Sequence, residues 1–200
     1  MWRRCGSLLK DDDQVPLLDV TSIIGTAWSY AKECLLGNRD PRLKLPGSYT
    51  FIVNGFFIGI NSLAGVGWIC MDSHHIICEA ISHPIRSSSC LETELMAILA
   101  VSEALNSYNS GGPIRILSDC ENAVEIVKGV TRPPPQFIDL VKLIRENLSK
   151  SVKVEVVSVC ESFTTSAHNL AKLATSTGSS QCWKDVLPNY LIDSVINSFD

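Results

Sequence analysis

A short and almost wholly apolar run ends at an acidic residue just before a helical pattern begins. The run covers Ile114 to Leu117, is interrupted only by Arg115, and is followed by Ser118 and Asp119. An apolar run of this kind is typical of a central strand that is covered on both faces. Helical spacing of apolar residues begins directly afterwards, at Cys120. The junction therefore predicts an α/β fold in which Asp119 stands at the end of a buried strand.

Three β-rich runs precede this junction and predict an antiparallel meander. Turn-forming stretches at residues 54–62 and 72–75 separate them. The three runs are Tyr49–Val53, Ala64–Met71 and Ile76–Ile81.

Helical patterns alternate with the remaining strands. One helix opens at Ser87–Ser89 and runs to about Tyr108, where two glycines and a proline end it. Further helices are predicted over Cys120–Val130, Phe137–Leu148 and Ala167–Thr175, and a fifth strand over Val152–Val157. The order of elements along the chain is βββαβααβα.

Both ends of the chain lie outside this pattern. We predict an N-terminal extension over residues 1–45, partly helical or disordered, then one domain over residues 46–178, and an amphipathic tail over residues 179–200. Helical spacing within the extension covers Val20–Leu36, and the apolar residues of the tail lie between Trp183 and Asp200.

Composition limits the classes of function. The chain has 200 residues, 46% of them hydrophobic, which suffices for one folded domain with extensions. A net charge of −4 does not favour a dedicated nucleic-acid binder, since such proteins are usually basic. No membrane span or signal peptide is expected, because apolar runs are short and Lys10 with three aspartates follows the basic start. The eight cysteines lack zinc-site spacing, and reduced thiols predict an intracellular protein, cytoplasmic or nuclear.

Five pieces of sequence, in order and at suitable spacing, resemble the ribonuclease H fold between about Leu43 and Thr177. They are Phe51–Gly55, Ala64–Trp68, Glu92–Ala97, Ser118–Cys120 and Ala167–Lys172. The nearest resemblance is to the plant retroelement type, found at the ends of non-LTR reverse transcriptases and as free-standing genes. The resemblance implies an α/β fold with a five-stranded mixed sheet and helices on both faces. It also implies a monomeric domain that acts on RNA–DNA hybrids, because the family hydrolyses their RNA strand with two Mg²⁺ ions.

The family holds its two ions with four acids, and the resemblance gives this chain only two of them. Glu94 matches the acid of the first helix and Asp119 that of the fourth strand, so both are candidate ligands for Mg²⁺ or Mn²⁺. Asn54 and His168 stand at the other two catalytic positions. An amide oxygen brings no charge, and imidazole is a poor ligand for Mg²⁺ but acceptable to Mn²⁺. The family's mobile histidine is also absent, with Ser158 near its place.

Each of the four residues also has a purely structural interpretation. Asn54 and Gly55 together form a hairpin-turn signal, and the same dipeptide is prone to deamidation, which would restore a carboxylate. Glu94 fits an ordinary solvated helix acid, and Asp119 fits an N-cap of the helix that follows it. His168 fits a partly exposed helix histidine.

Three functions remain open at this point. The first is a degenerate ribonuclease H domain that keeps the fold, binds RNA–DNA hybrids weakly and cleaves little or nothing, because two carboxylates leave two dications poorly neutralised. The second is an active metal-dependent hybrid ribonuclease that uses Asn54, Glu94, Asp119 and His168. The third is a protein-interaction or structural domain without a nucleic-acid role, which the acidic balance favours.

Overall fold

The computed structural model describes residues 48–60, 62–74, 76–108, 112–151 and 153–184. Its strands are β1 Tyr49–Phe56, β2 Ala64–Asp72, β3 Ile77–Ile85, β4 Ile114–Ser118, β5 Val154–Ser158 and β6 Gln181–Lys184. Its α-helices are α1 Cys90–Ala104, α2 Glu121–Lys128, α3 Ile138–Ser149 and α4 Thr165–Thr177. The predicted helix Val20–Leu36 lies outside the described residues.

The strands form one mixed sheet in the order β5-β4-β1-β2-β3-β6. The meander β1-β2-β3 is antiparallel, whereas β4 runs parallel to both β1 and β5. The predicted fold class, an α/β mixed sheet with helices on both faces, is therefore confirmed.

The predicted count of five strands is wrong, because the described residues contain a sixth. Gly178, at a φ of 61°, ends α4 in the left-handed conformation. The chain then returns along β3, where β6 pairs antiparallel and Lys184 forms an ion pair with Glu79 at 3.4 Å. Trp183 and Lys184, predicted as the start of the tail segment, belong to this strand, and residues 185–200 lie outside the described part.

The sheet separates two apolar cores. The helices α1, α2 and α3 pack on one face, and α4 packs on the other. Along β1, Phe51 and Val53 point towards α1, so the alternation of a strand turns Ile52 and Asn54 towards α4. The buried side chains of the first face include Phe51, Val53, Trp68, Leu95, Ile98, Ile126 and Ile144. Those of the second face are Ile69, Met71, Ile77, Ala80, Phe163 and Leu170.

Side-chain capping sets the start of α1 directly after the predicted opening at Ser87–Ser89. The Ser89 hydroxyl accepts from the Glu92 backbone N–H at 3.2 Å, while the Glu92 carboxylate accepts from the Ser88 backbone N–H at 2.6 Å. The helix therefore begins at Cys90, and its predicted final turn, Leu105–Tyr108, is a 3₁₀ helix. None of the helices in the described ranges has the length and hydropathy of a bilayer span.

Candidate functional site

Polar side chains from three elements meet at the carboxyl end of the parallel strands β1 and β4. Ile52 pairs with Leu117, and continuing this register by two residues brings Asn54 beside Asp119, which directly follows β4. His168 projects from the first turn of α4 onto the same corner. Three of the four predicted site residues are thus joined by direct contacts, and the fourth, Glu94, lies close by on α1.

Two glycines allow the helices to come close enough for these contacts. A Cβ on Gly55 would lie 2.8 Å from the Thr93 backbone and 2.9 Å from the Glu94 nitrogen, so only glycine lets α1 sit against β1 here. A Cβ on Gly67, the partner of Asn54 in β2, would lie 2.2 Å from the Ala167 carbonyl oxygen. The first glycine brings Glu94 to the corner, and the second seats α4 so that its histidine reaches Asn54.

The Asn54 amide bridges Asp119 and His168. Its Nδ2 donates to Asp119 Oδ1 at 3.1 Å and to Oδ2 at 2.9 Å, while its Oδ1 lies 3.0 Å from His168 Nδ1. A carboxylate can only accept, so the amide nitrogen must face Asp119 and the amide oxygen must face the imidazole. His168 therefore carries its proton on Nδ1 and donates it to Asn54.

Thr164 is a site residue that sequence reasoning missed. Its side chain is fully buried, and its hydroxyl donates to Asp119 Oδ2 through a short hydrogen bond. Its carbonyl also accepts from the His168 backbone N–H at 2.8 Å in the first turn of α4. A threonine just before a helix is read as an N-cap, and that interpretation hides its contact with a residue 45 positions earlier.

Glu94 lies in the least satisfied environment of the site. Burial raises the pKa of Glu94 to about 8, and the negative charge of Asp119 adds to the rise, while a hydrogen bond from the Gly55 backbone opposes it. Its Oε2 is buried and has no hydrogen-bond partner among the described residues. The interpretation as a solvated helix acid is therefore wrong, because this carboxyl is largely withdrawn from water, which favours its neutral form.

The raised pKa of Glu94 predicts a specific pH dependence of stability in buffer that contains a chelator. The folded state keeps this proton up to a pKa of about 8, whereas the unfolded chain releases it near the ordinary glutamate pKa of 4.5. The stabilisation is complete below pH 4.5 and is lost as pH rises to 8, at up to about 1.4 kcal/mol per pH unit. Glu94→Gln removes the titrating proton, so we expect urea unfolding to show a smaller loss of stability from pH 5 to pH 8.

The matched control for this comparison is Glu103→Gln, since Glu103 is an exposed acid on the same helix. It should follow the pH profile of the unmodified protein. Parallel pH profiles for the protein and Glu94→Gln would contradict the protonated state inferred for Glu94.

Two further structural interpretations are wrong, and the fourth is incomplete. Asn54 and Gly55 do not form a hairpin turn, because both lie within β1. Asp119 does not cap α2, because Cys120 holds the N-cap position without a side-chain cap bond. His168 is partly exposed, as that interpretation requires, but it also bonds Asn54 and packs edge-on against Phe56, with ring centroids 5.2 Å apart.

Deamidation of Asn54 stays a prediction that peptide mapping of aged protein tests. The structure disfavours it, because Asn54 is only 3% exposed, lies in a paired strand and has both ends of its amide bonded. Attack of the next backbone nitrogen on the amide carbon would have to break these contacts.

The donor set does not fit a pair of Mg²⁺ ions. Mg²⁺ requires several hard oxygen ligands in near-octahedral geometry. Both oxygens of Asp119 lie within hydrogen-bonding distance of Asn54 Nδ2, and the Asn54 oxygen accepts from His168, so a cation would have to compete with these donors. The buried Oε2 of Glu94 is the site oxygen without a partner among the described residues. Within the described ranges, no three His, Cys, Asp or Glu residues lie together in a way that could hold a metal ion.

The sheet order and the corner at the end of β1 and β4 define a ribonuclease H-like domain, and comparison with known proteins agrees. The chain belongs to the reverse transcriptase-like family, whose model matches residues 53–174. No curated protein sequence matches the chain.

Several solved ribonuclease H structures share the fold. The N-terminal RNase H domain of Rv2228c from Mycobacterium tuberculosis superposes with a TM-score of 0.60 at 17% identity, covering 65% of this chain and 94% of that one. RNase H1 from Halobacterium salinarum NRC-1 gives 0.61 at 18% identity, covering 66% and 99%. LC11-RNase H1, isolated from compost and solved in complex with an RNA/DNA hybrid, gives 0.60 at 17% identity, covering 65% and 98%. These identities establish the shared fold alone.

Proposed function

We propose that this chain is a ribonuclease H-like domain that binds RNA–DNA hybrids and has lost most or all of its cleavage activity. The single observation that carries the proposal is the pair of hydrogen bonds from Asn54 Nδ2 to both oxygens of Asp119. These bonds direct N–H groups, not free oxygens, into the place where the family gathers metal ions.

Family membership and fold support the choice of nucleic acid as the partner. The chain matches a reverse transcriptase-like model, and a structurally similar ribonuclease H1 has been solved with an RNA/DNA hybrid bound. The net charge of −4 predicts weak binding, because affinity for a phosphate backbone comes mainly from neutralising basic residues. We expect a low-affinity hybrid binder of the plant retroelement type.

A cleavage assay tests the loss of activity. The purified full chain is incubated with an end-labelled RNA–DNA hybrid and an excess of Mg²⁺ or Mn²⁺. An active type 1 ribonuclease H serves as the positive control. We expect no cleavage above background. Metal-dependent cleavage that disappears in Asp119→Asn would overturn the proposal and establish the active alternative, in which Asn54, Glu94, Asp119 and His168 form a relaxed site selective for Mn²⁺.

A binding titration separates a nucleic-acid role from a protein-interaction role. Fluorescence anisotropy with labelled hybrid at several salt concentrations should give an affinity that falls as salt rises, because bound phosphates release counterions. Matched duplex DNA of the same sequence serves as the comparison ligand. An absence of binding even at low salt would favour the interaction or structural domain.

Location and assembly belong to the same proposal. The six cysteines in the described ranges are in the reduced state, which supports a reducing intracellular setting in the cytoplasm or nucleus. We propose a monomer, and light scattering of the purified chain tests it.

A further inference from the structure

The hydrogen-bonded corner joins three elements of the fold through side-chain contacts. Asn54 lies on β1, Asp119 follows β4, and Thr164 and His168 belong to the start of α4. Each consecutive pair in the series Thr164, Asp119, Asn54 and His168 is in direct hydrogen-bond contact. The series therefore fixes the first turn of α4 to the ends of two parallel strands.

Asp119 is satisfied within this series by neutral donors alone. The Asn54 amide group, whose Nδ2 lies within hydrogen-bonding distance of both oxygens, and the hydroxyl of Thr164 donate to it. Hydrogen bonds to a carboxylate are stronger than those between neutral groups, and they replace the hydration that the part-buried acid has lost. A cation that entered here would have to displace donors that already stabilise the negative charge.

We infer that the Asn54 amide takes over the structural place of a cation, so that this corner is held together without divalent metal. The donor set does not fit the family's two-metal chemistry because a neutral amide, in place of a metal ion, joins β1, β4 and α4. Asn54, Thr164 and His168 act as positioning residues for one another and for Asp119. The inference does not depend on hybrid binding, so a failed binding titration leaves it intact.

The decisive comparison is thermal unfolding of the full chain in EDTA and in Mg²⁺. The unmodified protein should unfold at the same temperature in both buffers, within about 1 °C. Asn54→Asp replaces the amide donor with a negative charge facing Asp119, so its unfolding temperature should fall by roughly 5–10 °C in EDTA. Mg²⁺ should then recover a large part of that loss, because an ion that binds only the folded state stabilises it.

Two further variants test whether the Mg²⁺ response of Asn54→Asp comes from a carboxylate at this position. Asn54→Ala removes the donors without adding charge, so it should unfold earlier in both buffers and show no Mg²⁺ response. Asn122→Asp adds an acid at an exposed position of α2 and controls for non-specific binding of the ion. It should resemble the unmodified protein in both buffers.

Conservative replacements at Thr164 test the hydroxyl itself. Thr164→Ser keeps the donor to Asp119 and should unfold near the original temperature, whereas Thr164→Val should unfold several degrees earlier. Thr175→Val is the control, because the Thr175 hydroxyl bonds the Lys172 carbonyl within the same helix, α4. The inference is overturned if Mg²⁺ stabilises the unmodified protein by more than about 2 °C, or if Asn54→Asp gains nothing from Mg²⁺ relative to Asn54→Ala.

Discussion

Gly67→Ala is expected to lower the free energy of unfolding by about 3 kcal/mol or more, which is at the upper end of what overpacking costs. The new Cβ would lie 2.2 Å from the Ala167 carbonyl oxygen and 2.5 Å from the Ala171 backbone nitrogen. Both neighbours are backbone atoms of α4, so no side-chain rotation relieves the overlap. The helix would have to move away from β2, which would pull His168 from Asn54 and open the second apolar core.

Urea unfolding followed by circular dichroism measures this effect. Gly59→Ala is the matched control, because a Cβ on Gly59 meets nothing within 4 Å. The control should stay within about 0.5 kcal/mol of the unmodified protein. If Gly67→Ala unfolded at the same urea concentration as this control, α4 could not be seated on β2 as the structure has it.

Gly67 also shows how far the sequence predicts the fold. The succession of strands and helices along the chain follows from apolar periodicity. The resemblance implies the helices on both faces and places Asn54, Glu94, Asp119 and His168 near one another. Periodicity alone does not indicate that β2 must carry a glycine opposite Asn54, since a close backbone approach leaves no apolar repeat to read. That requirement becomes visible only when α4 is placed against the sheet.

The strand β6 and the residue Thr164 were missed for different physical reasons. The strand has only four residues, and its stability comes from pairing with β3, where Lys184 meets Glu79. Such pairing is a tertiary effect that overrides local preference. Thr164 was missed because its hydroxyl could serve its own helix or a distant carboxylate, and only three-dimensional proximity to Asp119 decides between them.

The direction of the hydrogen bonds at the site also could not be predicted from the sequence. An asparagine in place of a catalytic acid could have offered its oxygen to a metal. Instead the Asp119 carboxylate requires a donor, so the amide nitrogen faces Asp119. The amide oxygen then faces His168, which donates to it. The two replacements are therefore coupled, because each satisfies a group that the other leaves open, and reversing only one of them should leave an unmatched partner.

This coupling makes the double substitution Asn54→Asp with His168→Asp the variant with the largest expected gain of activity. It returns four carboxylates to the corner, which is the donor number that the resemblance implies for two hard dications. We expect Mg²⁺-dependent cleavage of an RNA–DNA hybrid to rise at least about 100-fold above the unmodified chain, equivalent to about 2.7 kcal/mol of barrier. The measurement is the initial rate of RNA-strand cleavage with end-labelled hybrid.

The single substitutions and one further acid replacement control the interpretation. Asn54→Asp or His168→Asp alone should give far less than the double variant, because each leaves one uncharged ligand position. Adding Asp119→Asn to the double variant should return cleavage to background, which would exclude a contaminating nuclease. The double variant should also be less stable than the unmodified chain in EDTA, because four acids then converge without the amide donors. The double variant could fold and gain stability from Mg²⁺ without cleaving the hybrid. Restoring the ligands would then be insufficient for activity. The next position to change would be the one near Ser158, where the family carries its mobile histidine.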